Sequence, residues 1–349
     1  MDLFELVYDA TLGLTALSLI GMLAIITRRA FLTWRTRRDT AQKNRLTDQV
    51  LQYLESPQQS GDLRAELKRS NRRLFIQLFE DLIQNVTGEY ARRLVQLMRD
   101  VGLVDEYMAA LKAYAWWRRA EACMDLAWFN EPRVVAALEA ALDDSRYEVR
   151  VEAARSLTRL GAVSSVSNLI AKLAMDEAHP LTVIDIFRNL GPGAVPELVA
   201  IIESETAESA KRLATEALGY SGDLRAVEAL LELCQHPSAA LRLRVVQALG
   251  LLEDPRSSAT IWKALSDSSW EVRAEAAICI GRLGLHEAIP DLEKRLDDEQ
   301  WWVRYEAAEA LFTLGDPGLF SLRAACASPV PHVAEIARAV IQEKGLTHE

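Results

Sequence analysis

The side chains with which this chain could do covalent or metal chemistry are few and scattered. Cys123, Cys234, Cys279 and Cys326 form no Cys-x-x-Cys pair, so neither a thiolate zinc site nor a redox dithiol is spelled out. Reduced, buried thiols of this kind fit a reducing compartment. His179, His236 and His332 each stand beside a proline in turn-forming sequence, with no cysteine or carboxylate recurring at metal-ligand spacing. Histidine precedes glutamate at His286-Glu287 and again at His348-Glu349, in the tail. There is no phosphate-cradling Gly-x-x-x-x-Gly-Lys run, and Gly219-Tyr220-Ser221-Gly222 reads as a helix-stop turn rather than a nucleophile elbow. No catalytic residue, metal or cofactor is expected.

Recognition chemistry is better represented. Trp116-Trp117 stands just before Arg118-Arg119, and Trp301-Trp302 just before Val303-Arg304. Tryptophan, tyrosine and arginine dominate binding hot spots, so doubled tryptophans mark either a docking surface or a recurring structural position. A comparison of the chain with itself separates the two. Aligned on arginine, Val149-Arg150-x-Glu152-Ala153-Ala154-x-x-Leu157, Val272-Arg273-x-Glu275-Ala276-Ala277-x-x-Ile280 and Val303-Arg304-x-Glu306-Ala307-Ala308-x-x-Leu311 match at nearly every position. Weaker copies put the same slot at Arg119, Val183, Lys211, Arg242 and Val333, with successive separations of 31, 33, 28, 31, 31, 31 and 29 residues. A period of this length is a stack of supersecondary units.

Each unit reads as two helices. A first helix, such as the run from Ala288 to Leu296, leads through an acidic turn into a second that starts near the Val-Arg pair. Leu-Gly pairs at 160–161, 190–191, 218–219, 249–250, 283–284 and 314–315 are expected to end the second helix, glycine taking the left-handed conformation there. The Ala-Ala pairs let neighbouring helices approach closely. An acid precedes the arginine by six residues at Asp144, Asp267 and Asp298, with Glu177 and Glu205 in the same slot of irregular units. It can cap the second helix and also face an arginine of the next repeat. The ladder Asp144, Arg150, Asp267, Arg273, Asp298 and Arg304 is therefore assigned to stacking.

The slot three residues before the arginine holds Trp116, Tyr147, Pro180, Glu208, Ala239, Trp270, Trp301 and Val330. Aromatics fill it in units one, two, six and seven, whereas a purely structural requirement would be felt in the middle units too. Trp116, Trp117, Tyr147, Trp270, Trp301 and Trp302 are the candidate partner-binding residues. First-turn packing onto the preceding repeat is the competing account for single rings, and helix geometry lets only one ring of each doubled pair face the neighbouring repeat well.

The unit Asp-x-x-x-x-x-Arg-x-Glu-Ala-Ala-x-x-Leu resembles the short bacterial HEAT-like repeats also found in phycobilin lyases, over about residues 116–345. The resemblance implies an all-α fold: a right-handed α-solenoid of about eight helical hairpins, irregular near 176–195 where the arginine is missing. It also implies a scaffold that binds proteins. Membrane-tethered HEAT-repeat proteins of this build look like accessory components of polysaccharide-synthesis loci. Deoxyhypusine hydroxylase, built on similar repeats, binds iron through several His-Glu pairs, a set that His286-Glu287 and His348-Glu349 do not reproduce.

Ahead of the repeats, residues 10–27 (ATLGLTALSLIGMLAIIT) form an 18-residue run without a charge. As a helix such a run spans about 27 Å, enough for a membrane anchor with its flanks. The acidic N-terminal flank and Arg28-Arg29 after the run argue against a cleaved leader. Basic residues Arg28, Arg29, Arg35, Arg37 and Arg38, with Phe31 and Trp34, fit a membrane interface that contacts anionic headgroups. The positive-inside rule places residues 1–9 outside and the bulk in the cytoplasm, so the expected location is a bacterial inner membrane, crossed once. Ala10, Gly13, Gly21 and Ala24 share one face, which either meets a transmembrane partner helix or reflects ordinary membrane-helix composition.

The remaining expected divisions are a basic juxtamembrane segment 28–55, a linker 56–61, a helical connector 62–112, a solenoid 113–345 and a tail 346–349. In the connector, Leu74, Phe75, Leu78, Phe79, Leu82 and Ile83 make an apolar stripe, and Gly88 and Gly102 bracket a further helix. With 50 acids against 40 lysines and arginines the chain is acidic overall. Nucleic acid is therefore excluded as a general partner. Two readings of function follow: a membrane-tethered cytoplasmic scaffold, which is not an enzyme, and a lyase-type enzyme acting on a bound chromophore or lipid.

Overall fold

The computed structural model describes residues 22, 27–29, 42–56, 63, 65, 67, 72–175 and 183–345. Among them there is no strand, and the chain divides at residues 106 and 107 into two compact units. The sequence-predicted anchor at 10–27 lies outside the described residues apart from Met22 and Thr27, as do Phe31, Trp34, Arg35, Arg37 and Arg38 and the small residues Ala10, Gly13, Gly21 and Ala24. Among the described residues no helix is long and apolar enough to cross a membrane.

The first unit contains helical residues 42–55, α1 (Arg72–Ile83) and α2 (Gly88–Val101). Its core takes Leu46, Val50 and Leu54 from the first of these, Phe75, Leu78, Phe79 and Ile83 from α1, and Leu94, Leu97, Met98 and Val101 from α2. These are the three- and four-residue spacings that put apolar side chains on one helix face. Polar contacts that tie the surfaces include Lys43 to Asp81 at 2.5 Å and Arg93 to the Leu54 carbonyl. Gly102, left-handed, stops α2. The short α3 (Leu103–Ala110) follows it.

The second unit is a stack of helices. The second helix of each hairpin, called B, is α4 (Trp116–Leu126), α6 (Tyr147–Arg159), α8 (Ile184–Asn189), α10 (Glu208–Tyr220), α12 (Ala239–Leu252), α14 (Trp270–Leu283), α16 (Trp301–Thr313) and α18 (Pro331–Glu343). Between them run the A helices α5 (Pro132–Ala141), α7 (Val166–Leu173), α9 (Val195–Glu203), α11 (Val227–Glu232), α13 (Ser258–Ala264), α15 (Ile289–Arg295) and α17 (Asp316–Ala325). Every B helix packs on the next, so the B layer is continuous from α4 to α18. The slot used to align the repeats is the fourth residue of α4, α6, α10, α12, α14 and α16. The two units without that register are the ones that lack a basic residue there, and α8 is cut to a short helix.

Small side chains set the B–B spacing, but not only the Ala-Ala pairs. Gly219 and Gly250, expected to end their helices, lie inside α10 and α12. A Cβ on Gly219 would come within 2.8 Å of the Ala248 backbone, and one on Gly250 within 2.4 Å of Cys279 Sγ. Their glycines are there because the next B helix leaves no room, while the actual stops are Gly222 and, unusually, Glu253 with φ 53°. At the other Leu-Gly pairs, Gly161, Gly191, Gly284 and Gly315 do take positive φ. Two side chains at one repeat position bridge the seam by donating to the preceding B helix: Ser156 Oγ to the Cys123 carbonyl at 2.7 Å, and Cys279 Sγ to the Val246 carbonyl at 3.7 Å.

Candidate functional site

The arginine–aspartate ladder explains how the first turn of three B helices, α6, α14 and α16, is held. Asp144 accepts from Arg119 Nε and Nη2 at 2.6 and 2.7 Å. Asp267 accepts from Arg242 at 2.8 and 2.7 Å, and Asp298 from Arg273 at 2.9 and 2.8 Å. Each carboxylate also accepts the backbone N–H two residues on, from Arg146, Ser269 and Gln300. The pairing therefore runs from an aspartate back to the arginine of the preceding unit, where the acid had been expected to meet an arginine of the following one. The arginine's other nitrogen fixes the direction: Nη1 donates to the carbonyls five and six residues before it, as Arg273 does to Ser268 and Asp267. The fork can then reach only forward, to the turn ahead of the next B helix.

The electrostatics follow from this geometry. The Arg119 guanidinium holds the Asp144 carboxyl below the usual range despite partial burial. Burial alone would raise Asp267 and Asp298, yet the bonds from Arg242 and Arg273, with a backbone N–H each, bring both below it. The ladder stops where the carboxylate is missing. Twenty-five residues after Arg150 stands Met175, and Arg150 Nε donates instead to the Lys172 carbonyl at 3.0 Å. Twenty-five residues after Arg304 stands Pro329, and the buried Arg304 Nε has no hydrogen-bond partner among the described residues.

A second ladder was missed in the sequence. Asp223 and Asp254, 31 residues apart, cap the short 3-10 turns ahead of α11 and α13 and each grip the arginine two residues on. Arg225 and Arg256 in turn donate to the Pro192 and Leu224 carbonyls of the preceding unit. The Asp-x-Arg spacing repeated at the repeat period was the available signal.

The candidate recognition residues fall into distinct settings. Tyr147 and Trp270 are half-buried, and the Arg150 guanidinium lies 5.7 Å from the Tyr147 ring centre. Trp116 is half-buried under Arg146 of the next unit, whose guanidinium carbon is 5.5 Å from the ring centre. Trp117, edge-on to Trp116, is 59% exposed. At the other end of the stack both rings are about half exposed: Trp301 is 48% and Trp302 54% exposed. Tyr305, one turn on, stacks on Trp301 at 5.2 Å and 15°, and Trp302 stands edge-on to both. These three rings and the facing side of α18 line a groove of about 530 Å³. The Tyr305 hydroxyl donates to Glu343 at 3.2 Å, and His332 pairs with Asp297 at 2.6 Å. Tyr305 was legible in principle as the residue four after Trp301, whereas Glu343 lies 38 residues from Tyr305 and carries no local signal.

Among the described residues no group of three or more histidines, cysteines and acids comes together to hold a metal ion. Burial pushes the Cys123 and Cys279 thiols up to about 12 and Cys234 to about 11, which favours their protonated form. His236 accepts a turn N–H from Ser238, and His179 and His348 lie outside the described residues. Glu216, buried beside a groove of about 230 Å³ on the B-helix face, is raised by burial, with Arg244 opposing. Arg244, Gln247 and Glu275 form a hydrogen-bonded chain across that face.

A family model described as HEAT repeats matches residues 104–184, 195–265 and 258–342, well over half of the chain. No curated protein matches it in sequence. Similar solved structures include the complex of CpcE and CpcF of phycocyanin lyase from Nostoc sp. PCC7120, at 20% identity and a TM-score of 0.33, covering 70% of this chain and 90% of that one. Human deoxyhypusine hydroxylase in complex with glycerol is similar at 20% identity and a TM-score of 0.31, covering 70% and 96%. The Escherichia coli protein YibA matches at 18% and 0.37, covering 83% and 97%. Nothing about activity follows from likenesses this distant.

Proposed function

This chain belongs to the HEAT-repeat family, and from that premise we propose that it is a membrane-tethered scaffold whose solenoid docks partner proteins. The observation that carries the reading is the C-terminal aromatic cluster. Trp301 and Trp302, each about half in water, stand in contact with one another and with the less exposed Tyr305 on the seventh B helix. Exposed aromatic clusters of this kind gain most from being covered by a partner. Residues 10–27 supply the tether and Arg28 to Arg38 the contact with anionic headgroups, with the solenoid on the cytoplasmic side of a bacterial inner membrane. Tethering raises the effective concentration of the solenoid at partners in the same membrane, as in an accessory component of a membrane assembly. No step of catalysis is assigned to the chain.

Two measurements test this. A reporter joined after Glu349 is expected to be active only in the form that works in the cytoplasm, and activity outside would overturn the orientation. Photo-cross-linkers placed in the full chain at the exposed tryptophan positions are expected to capture protein. A bound chromophore or lipid with no protein adduct at any solenoid position would replace the scaffold with the lyase-type reading.

A further inference from the structure

We propose that the groove between α16 and α18 binds a lysine- and arginine-rich segment of a partner protein, cationic side chains lying on Trp301, Trp302 and Tyr305 and pairing with Glu335 and Glu343. This rests on the scaffold reading and specifies what the scaffold recognises.

Charge complementarity carries the choice of occupant. Residues 285–345 hold 11 aspartates and glutamates against 6 lysines and arginines. Of the cations near the groove, Lys344 and Arg295 are paired with carboxylates, whereas Arg304, which lines it, and Arg338 are anchored by backbone carbonyls and keep their charge. Arg304 Nη1 donates to the Asp298 and Glu299 carbonyls, Lys344 pairs with Glu309 at 2.8 Å, and Arg338 donates to the Cys326 carbonyl. Arg295 is held by Asp298. Glu335, by contrast, is exposed with no ion pair among the described residues, and Glu343 accepts only the neutral Tyr305 hydroxyl. The acid excess is also felt in the folded state: burial together with Glu309 and Glu275 raises Glu306, and burial with Glu309 and Glu343 raises Tyr305.

The rings add a second kind of cation affinity. A guanidinium or ammonium over an aromatic face within about 6 Å is attracted by the ring quadrupole, most strongly over tryptophan. The chain uses that interaction itself elsewhere, with Arg146 over Trp116 and Arg159 over Trp128 at 4.9 Å. Among the described residues no cation lies over Trp301, Trp302 or Tyr305, although their surroundings are the more acidic. An acidic peptide would meet Glu335 and Glu343 directly, and an uncharged apolar helix would leave both carboxylates desolvated and unpaired.

The test is a fluorescence-anisotropy titration of the full chain, in non-ionic detergent, with a labelled twelve-residue peptide of alternating lysine and arginine. Saturable binding is expected, weakening as salt rises. Replacing Trp301 and Trp302 together with alanine should weaken it by about tenfold or more, as expected for hot-spot aromatics. The pair Glu335→Gln and Glu343→Gln, which keeps side-chain size, should weaken it by about threefold to tenfold. Replacing Trp116 and Trp117 with alanine should leave it unchanged. Equal binding of a glutamate peptide or an uncharged peptide, or equal loss from the Trp116 and Trp117 variant, would overturn the proposal. So would a gain of about tenfold or more in affinity on neutralising the basic residues of 28–45, which would make this chain's own segment the occupant. Protein adducts from the cross-linkers without basic-peptide binding would reject this inference and leave the scaffold standing, whereas absence of any adduct would reject the scaffold itself.

Discussion

The two tryptophan pairs occupy equivalent places, the first turn of a B helix in the first and seventh units, and Trp117 is as exposed as Trp302, yet Trp116 and Trp301 have different surroundings. Trp116 lies under Arg146, and the arginine beside it, Arg119, is locked to Asp144 of the next unit. Trp301 and Trp302 have no cation over them among the described residues, and Arg304 beside them has lost its carboxylate because Pro329 stands in the slot. What differs is not the residue but the unit that follows it. A repeat register decides where a side chain is held, and the neighbour in the next unit decides whether it is covered.

That contrast can be broken most severely through the ladder. Arg119 and Arg304 share a register position, yet unequal costs are expected on replacing each with alanine. Arg119→Ala leaves the part-buried Asp144 without its partner, and a loss of about 1.5–3 kcal/mol is expected for its charge-assisted bonds. Arg304→Ala removes only hydrogen bonds to carbonyls, for about 1 kcal/mol. Melting of the two variants, followed by circular dichroism, checks the ratio, and equal losses would mean that the carboxylate is not what separates the ends.

Next in size is the seam that joins them. Gly250→Ala puts a methyl against Cys279 and should cost about 1–3 kcal/mol by overpacking. A neutral Gly250→Ala would show that the B helices can slide apart, and the difference between the ends would then have no fixed frame.

Acid sharpens the comparison further. The lowered carboxyls of Asp144, Asp267 and Asp298 contribute stability that is fully present above the ordinary carboxylate range and is lost as pH falls through their folded-state values. The melting temperature should therefore fall steeply below about pH 4, and Asp144→Asn should flatten that fall. A variant curve as steep as the parent's would assign the acid sensitivity to other groups.

The smallest effect is at Trp116 itself. Arg146→Ala should lower stability by about 0.5–1 kcal/mol and make Trp116 more accessible to acrylamide quenching. Unchanged quenching would mean that the ring is covered by something other than Arg146.

Much of this was legible in the amino-acid order. The 31-residue period and the fourth-residue register are visible because stacking demands the same small residues, arginine and aspartate at each step. The apolar stripe of α1 was visible for the same periodic reason. Gly219 and Gly250 were misread as stops, since a glycine required by a close neighbour and one required by positive φ look alike in sequence, and Glu253 shows that a stop can lack glycine altogether. The direction of the ladder depends on where Arg273 Nη1 is anchored, a contact with its own backbone that leaves no sequence trace. The open groove depends on Glu335 and Glu343 of α18, whose helix matches the repeat only weakly and whose nearness to Trp301 is a product of stacking.

The most direct test of the central claim compares the two pairs in the intact chain. A photo-cross-linking residue at position 302 is predicted to give protein adducts in clearly higher yield than the same residue at position 117. Equal yields, or more from 117, would contradict the assignment of the open end of the stack as the docking surface.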